Sequence, residues 1–231
     1  MATDITILSA GAVAPGLKKI SEKFQRETHQ RVHLEFATAP IILERLRDSA
    51  PPDLVIAPSP VFEEIARDGR ISNESRLLLG RVGVGVMVRA GAPEPPIATV
   101  KELRKSLLEA TSVVFNRAST GTYLENLFRR LGIAPELERK SIRYPDFAAV
   151  LDHITHGGNG EIGFGATTVI AENSHKSVTF LGTLPVEIQN YTTYEAAAVV
   201  QNGAANAAAH HFIEYLGSLQ AKSALMQAGI V

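Results

Sequence analysis

The stretch Asn116-Arg117-Ala118-Ser119-Thr120-Gly121-Thr122 gathers the groups that would hold a small anion. Ser119, Thr120 and Thr122 offer hydroxyl donors. Arg117 offers a guanidinium that can grip a carboxylate through two parallel hydrogen bonds. Gly121 leaves room for close backbone approach. An apolar strand over residues 112–115 precedes this loop and an amphipathic helix over residues 123–131 follows it. At such a helix start, unpaired N–H groups and the positive end of the helix dipole favour an anion. The plain alternative is that Ser or Thr merely caps the helix. The Gly-Lys-Ser/Thr ending of a phosphate-binding P-loop is missing.

Two earlier turns hold comparable positions. Ser9-Ala10-Gly11-Ala12 follows the first strand and Thr38-Ala39 the second. Each alone is ordinary turn chemistry, but equivalent turns of successive strand–helix units can converge on one crevice. Arg81, Arg89 and Arg143 also stand near strand ends, where a surface or ion-paired arginine is the plain reading. Arg143 and Tyr144, closing a strand over residues 141–144, join the candidates, although Tyr144 would serve equally as packing. His153 and His156 lie three apart on a helix, a spacing that metals use. No third ligand is evident, and cationic histidines at a helix C-terminus account for both. We therefore expect no metal and no cofactor. Without a Gly-x-Ser-x-Gly elbow, a hydrolase triad has no anchor.

The elements that must position these groups alternate. Strands are expected over residues 4–8, 31–36 and 53–57, each followed by a helix, over 15–28, 41–48 and 61–68. In the first helix Leu17, Ile20 and Phe24 share a face, and Gly69 stops the third. Strand–helix repetition argues for a doubly wound α/β layer arrangement, with ligands beyond the carboxyl ends of the strands. A long alternating strand over residues 81–90 and a Pro-rich linker follow. Next come a helix over 99–110, capped by Thr99 with Glu102, and strands over 112–115, 141–144, 161–164 and 178–181. A second long strand spans 193–200, and helices over 204–216 and 218–226 end the chain. The two long strands bracket a complete α/β unit. The expected organisation is lobe one, residues 1–83 and 196–231, with lobe two, residues 84–195, inserted through a two-stranded hinge. Each lobe is expected to be a mixed sheet flanked by helices.

Composition excludes several classes. The 231 residues are 45% hydrophobic and 20% charged, so a sizeable core is available. Lys and Arg number 23 against 24 Asp and Glu, for a net charge of -1, which argues against phosphate-backbone binding. No run of about 18 apolar residues is present, so no spanning helix is expected. The absence of cysteine excludes disulfides, thiol nucleophiles and Cys-ligated zinc.

Several segments resemble the molybdate-binding-protein-like branch of the type II periplasmic solute-binding proteins. They are Ile5-Thr6-Ile7-Leu8-Ser9-Ala10-Gly11-Ala12, Phe36-Ala37-Thr38-Ala39 and Pro52-Asp53-Leu54-Val55-Ile56-Ala57. Ala118-Ser119-Thr120-Gly121-Thr122-Tyr123 and Glu161-Ile162-Gly163-Phe164 continue the series, which covers nearly the whole chain. The resemblance implies two α/β lobes closing on ligand in an interlobe cleft. It further implies delivery to ABC-transporter membrane subunits, a monomer, and a periplasmic location with a removed signal peptide; a cytoplasmic location is the alternative. Neither nucleic acid nor a membrane is an expected partner.

The departures from the family pattern bear on the ligand. A molybdate binder is expected to carry a serine at the position of Ala12, another hydroxyl near Ala39 and a tyrosine around Ala166. A dry tetrahedral dianion needs many direct donors, so these losses argue for a different anion, an organic carboxylate. The Ser-Ala-Gly-Ala-Val opening is also similar to that of bacterial aconitate isomerase, which shifts a proton in an unsaturated tricarboxylate. Such an isomerase would use Arg117 and Arg143 as clamps, with Tyr144, Asp146, Glu195 or a hydroxyl as candidate acid–base group. A molybdate or oxyanion binder and a sensory ligand-binding domain are two further functions compatible with the sequence.

Overall fold

The computed structural model describes residues 4–47, 50–174, 177–201 and 203–231. The chain divides into two compact units, Met1–Val82 with Thr192–Val231 (unit 1) and Gly83–Tyr191 (unit 2).

Unit 1 begins β1 (Ile5–Ala10), α1 (Ala14–Thr28), β2 (Val32–Ala37), α2 (Ala39–Arg45), β3 (Leu54–Pro58) and α3 (Ser59–Arg67). β1 lies between β2 and β3, parallel to both, with Ser9 opposite Phe36 and Ile56. The uninterrupted burial of β3 is that of a strand covered on both faces. α1 docks through Leu17, Ile20 and Phe24, all at most 2% exposed. Each contributes about 1.5–3 kcal/mol of burial. A left-handed His29 ends α1, and Gly69, with φ of 65°, follows α3.

β4 (Leu77–Arg89) carries the chain into unit 2. There follow α4 (Val100–Glu109), β5 (Ser112–Asn116), α5 (Ser119–Arg130), α6 (Ala134–Glu138), β6 (Ser141–Tyr144), α7 (Phe147–His156), β7 (Glu161–Ala166), α8 (Thr167–Asn173) and β8 (Val178–Thr183). β5 is flanked by parallel β6 and β7, while β4 runs antiparallel to β7 and β8. The two-residue period of the strands sorts side chains to two cores. Val84, Val86, Val88, Val113 and Phe115 meet α4 and α5, whereas Met87 and Val114 meet Val150 and Ile154 of α7.

β9 (Tyr191–Ala198) returns the chain to unit 1, antiparallel to β3. A small hairpin of β10 (Val200–Gln201) and β11 (Ala204–Ala205) precedes α9 (Ala207–Leu216) and α10 (Leu219–Gln227). Phe212 of α9 meets Phe24 edge to face at 4.9 Å. β4 and β9 are thus the two strands that join the units.

Several expectations change; the helix expected from residue 204 begins at Ala207, after β11, and the strand expected over 193–200 runs Tyr191–Ala198. α5 starts at Ser119, not at residue 123, so the hydroxyl residues form its first turn instead of a loop. β4 starts at Leu77, four residues early. α6 and α8 are helices where the sequence pattern predicts none; α8 opens Thr167-Thr168-Val169-Ile170, a β-branched run whose propensity tertiary packing overrides. α2 begins at Ala39 and ends at Arg45; residue 48, the expected end, lies outside the described residues.

Candidate functional site

The helix starts fall into two groups. α4, α7, α9 and α10 are capped by the side chains of Thr99, Asp146, Asn206 and Ser218. Among the described residues, α1, α2, α3, α5, α6 and α8 have no side-chain cap. All of these except α6, which follows α5, come directly after β1, β2, β3, β5 and β7 (α1 after a single turn, Gly11–Val13). A helix start without a cap leaves its first amides to water or to a ligand. Five of the six uncapped starts thus sit at the carboxyl ends of parallel strands, in both units, where an anion can satisfy them; α7, after parallel β6, is capped by Asp146 instead.

In unit 2 the Ala118 N–H donates to Asn116 Oδ1 (3.2 Å) and the Arg117 N–H to the Tyr144 carbonyl (2.8 Å). Ala118 is the N-cap and has no side-chain acceptor to offer, so Ser or Thr capping does not explain the motif. Ser119 and Thr120 are half-buried in the first turn, and Thr122 Oγ1 donates back to the Ala118 carbonyl at 3.4 Å. Gly121 is required by its own chain: a Cβ there would lie 1.8 Å from the Asn116 carbonyl oxygen. The Arg117 side chain is exposed and has no acidic partner among the described residues.

Arg143 is engaged: its Nε donates to Glu125 Oε1 at 2.6 Å and its guanidinium lies 5.5 Å from the Phe115 ring. Arg143 thereby ties β6 to α5. The Tyr144 hydroxyl lies 2.9 Å from His153 Nδ1, and His153 Nε2 lies 3.3 Å from Glu161 Oε1. Tyr144 thus meets the Arg117 segment through its main-chain carbonyl, while its hydroxyl joins β6 to α7 and His153 joins α7 to β7. His156 pairs with Asp152 on the same helix. Ala166 ends β7 as the N-cap of α8.

In unit 1 Ser9 is fully buried and its hydroxyl donates to the Ala10 carbonyl at 3.2 Å. Gly11 and Ala12, both half-buried, form a single helical turn with Val13. Thr38 is the extended N-cap of α2, followed by Ala39. Ala10 opposes Ala37 across β1 and β2, so the turn at Gly11 and the α2 start at Thr38 are neighbours, about 5 Å apart across the strands.

Sequence reading missed one cluster. Arg76 holds both oxygens of Glu195, through Nε to Oε2 and Nη2 to Oε1 (3.1 Å), and Nη2 also reaches Glu63 at 2.6 Å. Its guanidinium lies 5.6 Å from the Phe62 ring. Hydrogen bonding from Arg76 holds the Glu195 carboxyl below its ordinary value, against the opposing effect of burial and with help from Ser59. A carboxylate so held is a weak base. Glu195 lies opposite Ala57, at the carboxyl end of β3. The partners stand 119 positions apart in sequence, which leaves no local signal of the pair.

An α/β chain of two units, with uncapped helix starts at parallel strand ends, has the architecture of a solute-binding protein. The chain belongs to the bacterial extracellular solute-binding protein family, whose pattern matches residues 5–231. It is 25% identical to a Pseudomonas aconitate isomerase over 236 residues, covering 99% of this chain and 87% of the relative. The Azotobacter vinelandii periplasmic molybdate-binding protein superposes with a TM-score of 0.80 at 15% identity, covering 99% of each chain. Campylobacter jejuni PEB3 bound to L-phospholactate superposes with a TM-score of 0.75 at 14% identity, covering 98% of each chain. The fold is the two-lobed periplasmic-binding-protein fold of these relatives. Among the described residues, no helix is long and apolar enough to cross a membrane.

Proposed function

We propose that this protein captures a small organic carboxylate as the solute-binding subunit of a periplasmic ABC transporter. The observation that carries the reading is the conjunction of an uncapped α5 start with the exposed Arg117 beside it, which has no acidic partner among the described residues. The α5 amides and the hydroxyls of Ser119 and Thr120 suit one carboxylate oxygen, and the planar fork of Arg117 suits two. Ala12 and Ala39 bring no hydroxyls, which disfavours a tetrahedral dianion that has no water to replace them.

Calorimetric titration with trans-aconitate, citrate, succinate and molybdate tests this. Saturable heat is expected with at least one carboxylate and none with molybdate. Tight molybdate binding without carboxylate binding would overturn the reading.

The aconitate isomerase relative supports a second reading, proton transfer on a bound unsaturated tricarboxylate. Of the candidate acid–base groups, Asp146 caps α7 through the Ala149 N–H (2.9 Å) and Glu195 is held by Arg76. Tyr144 differs in joining an imidazole–carboxylate pair, through His153 to Glu161. NMR of trans-aconitate with pure protein separates the readings. Conversion to the cis isomer means an isomerase; an unchanged spectrum with measurable binding means a carrier.

A further inference from the structure

We propose that the groove between α1 and α10 of unit 1 is a second anion site, for a small polyphosphate-like polyanion. Lys19, Lys23 and Arg26 stand along one edge, four and three residues apart, and so share a face of α1. Gln220 and Gln227 of α10 stand along the other, with Tyr215 of α9 between. Buried Ile20 and Ala221 form the floor of a cavity of about 330 Å³.

Its charge sets this groove apart from an ordinary solvated face. The chain has 24 acidic and 23 basic residues, yet among the described residues three cations and no carboxylate line the groove. Two acids neighbour these cations on α1. Glu27 accepts from the Tyr215 hydroxyl at 2.7 Å and pairs with Lys23 at 3.7 Å. Exposed Glu22, three residues after Lys19 and four before Arg26, lies off the groove lining and makes no ion pair among the described residues. Lys19 and Arg26 make no ion pair among the described residues. From Lys19 to Arg26 the helix rises about 10 Å, so the cations match a ligand whose charges are spread over several groups, not a single carboxylate. Lys19 lies about 9 Å along α1 from Val13, and Arg26 about 20 Å. The groove therefore stands apart from the strand-end donors of unit 1 and does not depend on the carboxylate reading.

Calorimetric titration with inorganic tripolyphosphate in low-salt buffer tests the site. One saturable event is expected, weakened roughly tenfold by each of Lys19→Ala, Lys23→Ala and Arg26→Ala. Lys19→Arg should retain binding. Arg117→Ala and Lys101→Ala, which lie in unit 2, should leave affinity within about twofold of wild type. Absence of saturable binding overturns the proposal. So does an equal loss in Lys101→Ala, which means nonspecific charge attraction, or a loss confined to Arg117→Ala, which means the polyanion occupies the strand-end donors instead. Circular dichroism of each variant establishes that α1 is intact.

Discussion

Gly121→Ala is expected to destabilise unit 2 and to disable the candidate site together. The new methyl would stand 1.8 Å from the Asn116 carbonyl oxygen and 3.1 Å from the Phe115 ring. Backbone cannot rotate aside as a flexible side chain can, so the residue 116–118 segment must move away from α5. Such overpacking costs about 1–3 kcal/mol, reduced by the helix propensity that alanine adds, up to about 1 kcal/mol. The melting temperature should fall by roughly 2–8 °C. Carboxylate affinity should fall more than about tenfold, because Arg117 and the α5 amides lose their common register. A Gly121→Ala protein of wild-type stability and affinity would show that the segment yields freely and does not position the site.

Arg76→Ala should have the larger effect on stability. It strands Glu195, whose side chain is only 11% exposed, without its bidentate partner. Removing one member of a buried pair costs about 3–5 kcal/mol. Arg76 itself is 27% exposed, so about 2–3 kcal/mol is expected, or roughly 4–12 °C in melting temperature. The double variant Arg76→Ala/Glu195→Ala should recover part of this loss, since no charge is then left buried. The pair also sets an acid limit. The carboxyl titrates below its ordinary value of 4.5 in the folded protein, so the unfolded chain binds the proton first. The stabilisation is complete above that ordinary value and is lost as pH falls through the depressed one. Urea unfolding of wild type and Arg76→Ala at pH 7 and pH 3 measures this. The stability gap should narrow at pH 3, and a constant gap would assign the effect to packing on Phe62 instead.

The fold is legible wherever burial has a local period. Leu17, Ile20 and Phe24 announce the buried face of α1, and the Thr99–Glu102 capping box marks the start of α4 with both of its hydrogen bonds formed. The hydroxyl-rich run at Ser119 misleads on the boundary of α5, because Ser and Thr read as caps whereas Ala118 takes that place. What stays hidden depends on partners far apart in sequence. Arg143 and Glu125 pair across β6 and α5, Arg76 and Glu195 across 119 residues, and Tyr144 reaches Glu161 only through His153. A single sequence shows such residues as polar and near strand ends, but not whether a ligand or the chain itself holds them. Arg117 and Arg143 look alike in sequence for this reason. In the fold Arg143 is bound to α5, whereas Arg117 has no acidic partner among the described residues.

The most direct test of the carboxylate reading is calorimetry of Arg117→Ala beside wild type, using whichever carboxylate binds. Arg117 is exposed and makes no ion pair among the described residues, so its removal should leave the melting temperature within about 1 °C. Loss of a charge-assisted contact of about 1.5–3 kcal/mol should weaken binding roughly 10- to 150-fold. Unchanged affinity in the variant would contradict the account, because the ligand would then be held without the cation that stands beside the α5 start.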